Sequence, residues 1–125
     1  DELLEWQEVY AGTYYGTLKS ELDRINQLNQ FPLLVVDVFG AINVMKNLKF
    51  KPLSIFIQAP SLEILEKRLT ARGTDSAEKI AKRIEKASVE MRESIQFDLT
   101  IINDDLPKAQ LQLKEVVNYF LKFGN

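Results

Sequence analysis

The chain has 125 residues, 46% of them hydrophobic and 27% charged, which fits one folded domain with a core and excludes a disordered, fibrous or low-complexity protein. Its 16 Lys+Arg against 18 Asp+Glu give a formal net charge of −2, so no whole-molecule field recommends nucleic acid or an anionic membrane as a partner. With no Cys and no His, these residues cannot form disulfides, thiolate nucleophiles, Ser-His or Cys-His triads or the usual zinc sites, and chemistry must rest on Arg, Lys, carboxylates, hydroxyls and backbone amides.

The chain opens on Asp1 and runs at once into Leu3-Leu4-Glu5-Trp6, as a sequence entered in its middle would. Residues 3–17 are rich in Trp, Tyr, Val and Thr, with Ala11-Gly12 as a turn, and read as a small antiparallel element. Thr17 is placed as the N-cap of an amphipathic helix to about Asn29, in which Leu18, Leu22, Ile25 and Leu28 recur at three- and four-residue steps. Leu33-Leu34-Val35-Val36-Asp37-Val38 is a continuous apolar run broken by one acid, the pattern of a strand buried on both faces. A helix over 41–48 and a second buried strand over 53–58 follow, closed by Ala59-Pro60. Ser61 caps a helix carrying Leu62, Leu65 and Leu69 and stopped by Gly73. Asp75-Ser76-Ala77-Glu78 reads as a capping box, with Asp75 at the N-cap and Glu78 at N3, opening a helix to about Glu93. A third strand over 99–102 ends at Asn103, and Asp105 caps a final helix with Leu106, Ala109, Leu113, Val116, Val117 and Phe120 as its apolar stripe.

Strands alternating with helices imply parallel crossovers, hence an α/β sheet covered on both faces. No internal repeat, linker or second-domain boundary interrupts the pattern. No apolar run approaches the ~20 residues a bilayer helix needs and no basic-then-apolar leader is seen, so a cytoplasmic setting is the default. Asp37, Gln58 and Asn103 fall at or near the carboxyl ends of the predicted strands, the edge at which open α/β sheets bind ligands.

Half of the basic residues lie between Lys67 and Arg92 among only four acids, so that segment is locally +4 and the remainder −6. Lys79, Lys82, Arg83 and Lys86 share one helix face, which is either a solvated basic surface or an anion clamp. Arg68 and Arg72 are one turn apart just before Gly73, and arginine suits forked contacts with phosphate oxygens. Tyr14-Tyr15-Gly16-Thr17 runs into a predicted helix N-terminus, where free N–H groups favour an anion, although such aromatic pairs are also common in antiparallel edges.

Taken in order, these residues resemble guanylate kinase, a nucleoside-monophosphate kinase of the P-loop class. The resemblance runs from Leu4-Glu5-Trp6 through Tyr14-Tyr15-Gly16-Thr17, Val36-Asp37-Val38-Phe39-Gly40-Ala41, Ser54-Ile55-Phe56-Ile57 and Ala59-Pro60-Ser61-Leu62-Glu63. It continues through Arg68-Leu69, Arg72-Gly73-Thr74-Asp75 and Lys82-Arg83-Ile84 to Ile102-Asn103-Asp104-Asp105-Leu106. It covers nearly the whole chain and corresponds to the later two-thirds of the family's sequence, since the family's glycine-rich phosphate-binding loop has no counterpart in these residues.

The resemblance implies a parallel-sheet P-loop kinase core with its first strand absent, a small antiparallel GMP-binding element and a helical lid. Residues 3–30 would belong to the GMP-binding region, 31–66 and 97–125 to the core, and 67–96 to the lid. The parent activity would be transfer of the γ-phosphoryl group of ATP to GMP, with Mg²⁺ bridging the ATP phosphates and no metal ligand assigned in this segment. Glu5 would accept from the guanine N1–H and 2-amino groups, Thr17 would bond O6, and Tyr15 and Gly16 would help hold the GMP phosphate. Asp37 would lie at the boundary of the guanine and phosphate sites. Arg72 and Arg83 would be the catalytic lid arginines, Arg68 and Gly73 would belong to the ATP side, and Asn103 and Asp104 would border the adenine. Val35 and Phe39 depart from residues common in the family at those positions.

ATP and GMP would be the partners, with neither nucleic acid nor membrane. The 125-residue chain alone would be inactive without its phosphate loop. The sheet edges left by the absent strand would be filled by another chain, a rearranged sheet or unseen residues, and self-association is expected there. A non-catalytic guanylate-kinase-like interaction module is the alternative, against which the intact Arg72-Gly73-Thr74-Asp75 and Arg83 count.

Overall fold

The computed structural model describes residues 3–10, 13–48 and 51–124, with side chains from residue 21 onward. They fall into two units, one ending at Pro52 and the other beginning at Leu53.

The first unit starts with the expected hairpin, in which β1 (Leu3–Tyr10) pairs antiparallel with β2 (Thr13–Leu18). Thr17 is in β2 opposite Glu5, and α1 starts only at Lys19 (Lys19–Gln27), so the expectation of a Thr17 N-cap is corrected. A β-branched residue in register with a partner strand gains more from the ladder than from ending it. The helix closes as a Schellman motif: Asn29 adopts φ 56, its N–H bonds the Asn26 carbonyl, and Gln30 N–H bonds that of Ile25.

Residues 33–37 form no strand, which corrects the expectation of a doubly buried one. Leu33 is 81% and Val35 94% exposed. An apolar run becomes an inner strand only when strands pair with both its edges, and among the described residues none pairs with it. Asp37 instead caps α2 (Val38–Asn47), its Oδ1 accepting from Gly40 N–H at 3.0 Å. Helix α2 lies against β1 and buries Ile42 and Val44.

The second unit is built on a parallel pair, β3 (Ile55–Gln58) and β4 (Leu99–Ile102), in register from Ile55 opposite Leu99 to Gln58 opposite Ile102. Its entrance is clasped by two reciprocal bonds: Ser54 N–H donates to Asp98 Oδ2 and Asp98 N–H to Ser54 Oγ, both at 2.9 Å. Phe56 meets Phe97 edge-on at 5.6 Å between ring centroids. Between the strands run α3 (Leu62–Arg72) and α4 (Ala77–Arg92), packed on each other, then a 3₁₀ turn over Glu93–Gln96; α5 (Leu106–Phe123) follows β4. Phe56, Leu69, Ile80, Ile101 and Ala109 are the buried apolar residues of this unit. On α5 the predicted stripe is covered only in part: Ala109 is buried and Val116, Val117 and Phe120 half-buried, while Leu106 and Leu113 are exposed.

Candidate functional site

The predicted site residues gather in three places, each set by a local element. In the first unit the hairpin register puts Glu5 opposite Thr17, with Gly16 opposite Trp6 and Tyr15 opposite Gln7. The four residues expected on the GMP side from this stretch therefore share one short antiparallel ladder. Asp37 is at the start of α2, where its carboxylate is half-buried and serves the helix as a cap.

In the second unit, two further groups form around α3. Ser61 Oγ accepts from Ile64 N–H at 3.1 Å and fixes the start of the helix. Gly73, at φ 71, ends it in the left-handed conformation that glycine adopts without strain. Arg68 and Arg72 are thereby carried on the last turns. The Arg68 guanidinium crosses to the end of β4, donating from Nη1 to the Asn103 carbonyl at 2.8 Å and from Nη2 to the Asp104 carbonyl at 3.2 Å. Three residues expected on the ATP side are thus joined directly, through backbone carbonyls.

Arg72 and Arg83 meet as well, by way of a residue that the sequence reading assigned to a cap. Asp75 Oδ2 accepts from Arg72 Nη2 at 2.8 Å and lies 3.0 Å from Arg83 Nε. The N-cap of α4 is Ser76, whose Oγ accepts from Lys79 N–H at 3.2 Å, so the capping box led by Asp75 is corrected by one residue. The only sequence signal for the carboxylate's role was its place between two arginines of a basic segment.

On the rest of α4 the basic face is interleaved with acids. Lys82 lies 4.0 Å from Glu78, and Lys86 lies 3.0 Å from Glu90. Lys82 and Lys86 thus each lie near an acid one turn away, whereas Arg72 and Arg83 share one.

Across 1–119 the chain matches the family model described as guanylate kinase. The chain belongs to the guanylate kinase family. It is 46% identical over 121 residues to a guanylate kinase of Bacteroides thetaiotaomicron, a match covering 97% of this chain and 59% of that protein. It is 40% identical over 116 residues to one of Sus scrofa, covering 90% of this chain and 58% of that one. A crystal structure of guanylate kinase from Anaplasma phagocytophilum superposes with a TM-score of 0.75 at 26% identity, over 94% of this chain and 55% of that one. The chain thus spans a little over half the length of these relatives.

Family membership is compatible with a sequence that has no histidine. Phosphoryl transfer depends on placing the two substrates and neutralising charge on phosphate oxygens, for which guanidinium groups suffice without a tuned histidine. Among the described residues no group of three or more His, Cys, Asp or Glu could hold a metal ion. Among the described residues no helix is long and apolar enough to cross a membrane.

Proposed function

We propose that the protein carrying this chain transfers the γ-phosphoryl group of ATP to GMP, yielding ADP and GDP for purine nucleotide metabolism in the cytoplasm. The observation that carries this reading is the convergence of Arg72 and Arg83, from two helices, on one carboxylate oxygen. Two guanidiniums presented together match the clustered negative charge of a transferring phosphoryl group.

On the GMP side, Glu5 accepts from the guanine N1–H and 2-amino group and Thr17 bonds O6. Their cross-strand pairing supports that division, because residues opposite each other on a ladder can address neighbouring atoms of one planar base. Adenine presents no such donor pair to Glu5, so the acid selects guanine. Tyr15 and Gly16 assist at the GMP phosphate, and Asp37 lies at the boundary of the guanine and phosphate sites. On the ATP side, Arg72 and Arg83 act on the phosphates, Gly73 is the hinge of a lid over 67–96, and Asn103 and Asp104 border the adenine. Closure of such a lid keeps water from the phosphoryl group.

The 125 residues alone lack a phosphate-binding loop and do not turn over. The test is GDP formation from ATP and GMP, with AMP as the control acceptor, by the full-length protein and by the 125-residue chain. The reading expects GMP-dependent turnover by the first and none by the second. A full-length protein that makes no GDP refutes the activity, and kinase-like rates from the 125-residue chain refute its inactivity. In the full-length protein, Glu5→Gln should lower the preference for GMP over AMP; an unchanged preference removes Glu5 from the guanine site.

A further inference from the structure

Asp75 lies between α3 and α4, outside the first turn of α4, and Ser76 relieves it of the N-cap. Its Oδ2 lies 2.8 Å from Arg72 Nη2 on one helix and 3.0 Å from Arg83 Nε on the other, so the two arginine nitrogens can be no further apart than these two distances laid end to end. Exposure divides unevenly across the three groups. The Asp75 side chain is 10% exposed, against 52% for Arg72 and 38% for Arg83. The acid is sheltered while both cations reach solvent.

That division separates this cluster from an ordinary surface ion pair, which contributes little. A carboxylate withdrawn from water depends on its partners, and losing either leaves a poorly solvated charge. The arginines in turn repel each other, and each has a long side chain with many rotamers. A shared acid offsets the repulsion and fixes the spacing. The three groups together carry a net charge of +1, so an anion is still attracted. The acid weakens that attraction, however, and its presence is useful only if the placement of the cations matters more than their total charge.

We propose that Asp75 is a positioning residue that sets Arg72 and Arg83 at one spacing, as a preformed receptor for the phosphates of the nucleotide donor. The proposal rests on the phosphoryl-transfer reading above. Asp75 touches no phosphate and acts through the two guanidiniums. Preformed dipoles and charges stabilise a transition state because they need not reorganise as the reaction proceeds. Displacement of such groups by about 1 Å can lower a rate on the order of 100-fold.

The test compares Asp75→Asn and Asp75→Glu in the full-length protein, by steady-state kinetics for ATP and GMP together with thermal melting. Asp75→Asn keeps the shape and removes the charge; kcat should fall about 10-fold to 100-fold, with the KM for GMP nearly unchanged, and the loss of both ion pairs should lower the melting midpoint as well. Asp75→Glu keeps the charge but moves it outward by one methylene, and should also lower kcat. It serves as the decisive variant if Asp75→Asn does not fold. Adding Arg83→Lys to Asp75→Asn should cost less than adding it to the unmodified protein, since the pair would already be misplaced. Unchanged kcat in Asp75→Glu overturns the proposal. So does tighter ATP binding at full kcat in Asp75→Asn, which would make the acid only a competitor of phosphate. A fall in melting midpoint with full kcat in the folded protein would make it only a brace. No GDP from the unmodified protein refutes the activity, and this proposal with it; normal GDP formation beside a fully active Asp75→Glu refutes this proposal alone.

Discussion

Replacing Arg68 with alanine removes the two bonds that tie α3 to the carbonyls of Asn103 and Asp104 at the end of β4. A sheltered hydrogen bond from a charged donor contributes about 1.5–3 kcal/mol, but this side chain is exposed, and solvent screening brings the pair down to about 1–2 kcal/mol together. With a urea slope of about 1–3 kcal/mol per M, the unfolding midpoint of the protein carrying this chain should fall by roughly 0.3–2 M. The functional consequence is directional. The loop that loses its tether is the one expected beside the adenine, so Arg68→Ala should raise the KM for ATP several-fold and leave the KM for GMP unchanged. Arg68→Lys should fall in between, because one ammonium cannot reproduce a fork to two carbonyls. Far-UV circular dichroism in urea and initial-rate kinetics with each substrate varied would read both effects. A midpoint unchanged within about 0.2 M, with an unchanged KM for ATP, would refute the claim that the guanidinium holds this loop.

Gly73→Ala should destabilise by about 1–2 kcal/mol through its left-handed backbone alone, because a Cβ at this position meets no atom within 4 Å; thermal melting checks it, and a larger loss would reveal a clash. Ser76→Ala should cost about 1 kcal/mol as the loss of a helix cap, and amide exchange in the first turn of α4 should rise, whereas equal protection in both proteins would return the cap to Asp75. Glu21 is held below its ordinary carboxylate range chiefly by its hydrogen bond with Arg24; desolvation opposes this, and the charge of Arg24 adds a smaller lowering. Its stabilising effect is therefore present above the unfolded-state value and is lost as pH falls through the lower folded one. Arg24 stays charged throughout, so Glu21→Gln should lower stability slightly at neutral pH, leave it unaltered in acid and so flatten the acid limb of a stability–pH curve; the pair is exposed, and salt should erase the difference.

The features legible in the sequence are those decided within one turn of chain. Ser61 before α3, Gly73 after it and Asp105 before α5 need only their neighbours to act, and the structure has each of them in that role. The run 33–37 needed more than its own composition. Its pattern specifies that both faces and both edges be covered, and where no described strand pairs with it, Val35 lies open to water. Asp75 is the instructive case at the site, since two local rules compete over adjacent residues. Asp and Ser are nearly equal N-caps, so handing the start of α4 to Ser76 costs little. Taking the carboxylate away from Arg72 and Arg83 would leave two neighbouring cations without their shared partner, a larger penalty. A shift of one residue in the cap, too small to weigh in a helix-by-helix reading, thus frees the acid, and the partner that settles the matter lies eight residues downstream, beyond the reach of local capping rules.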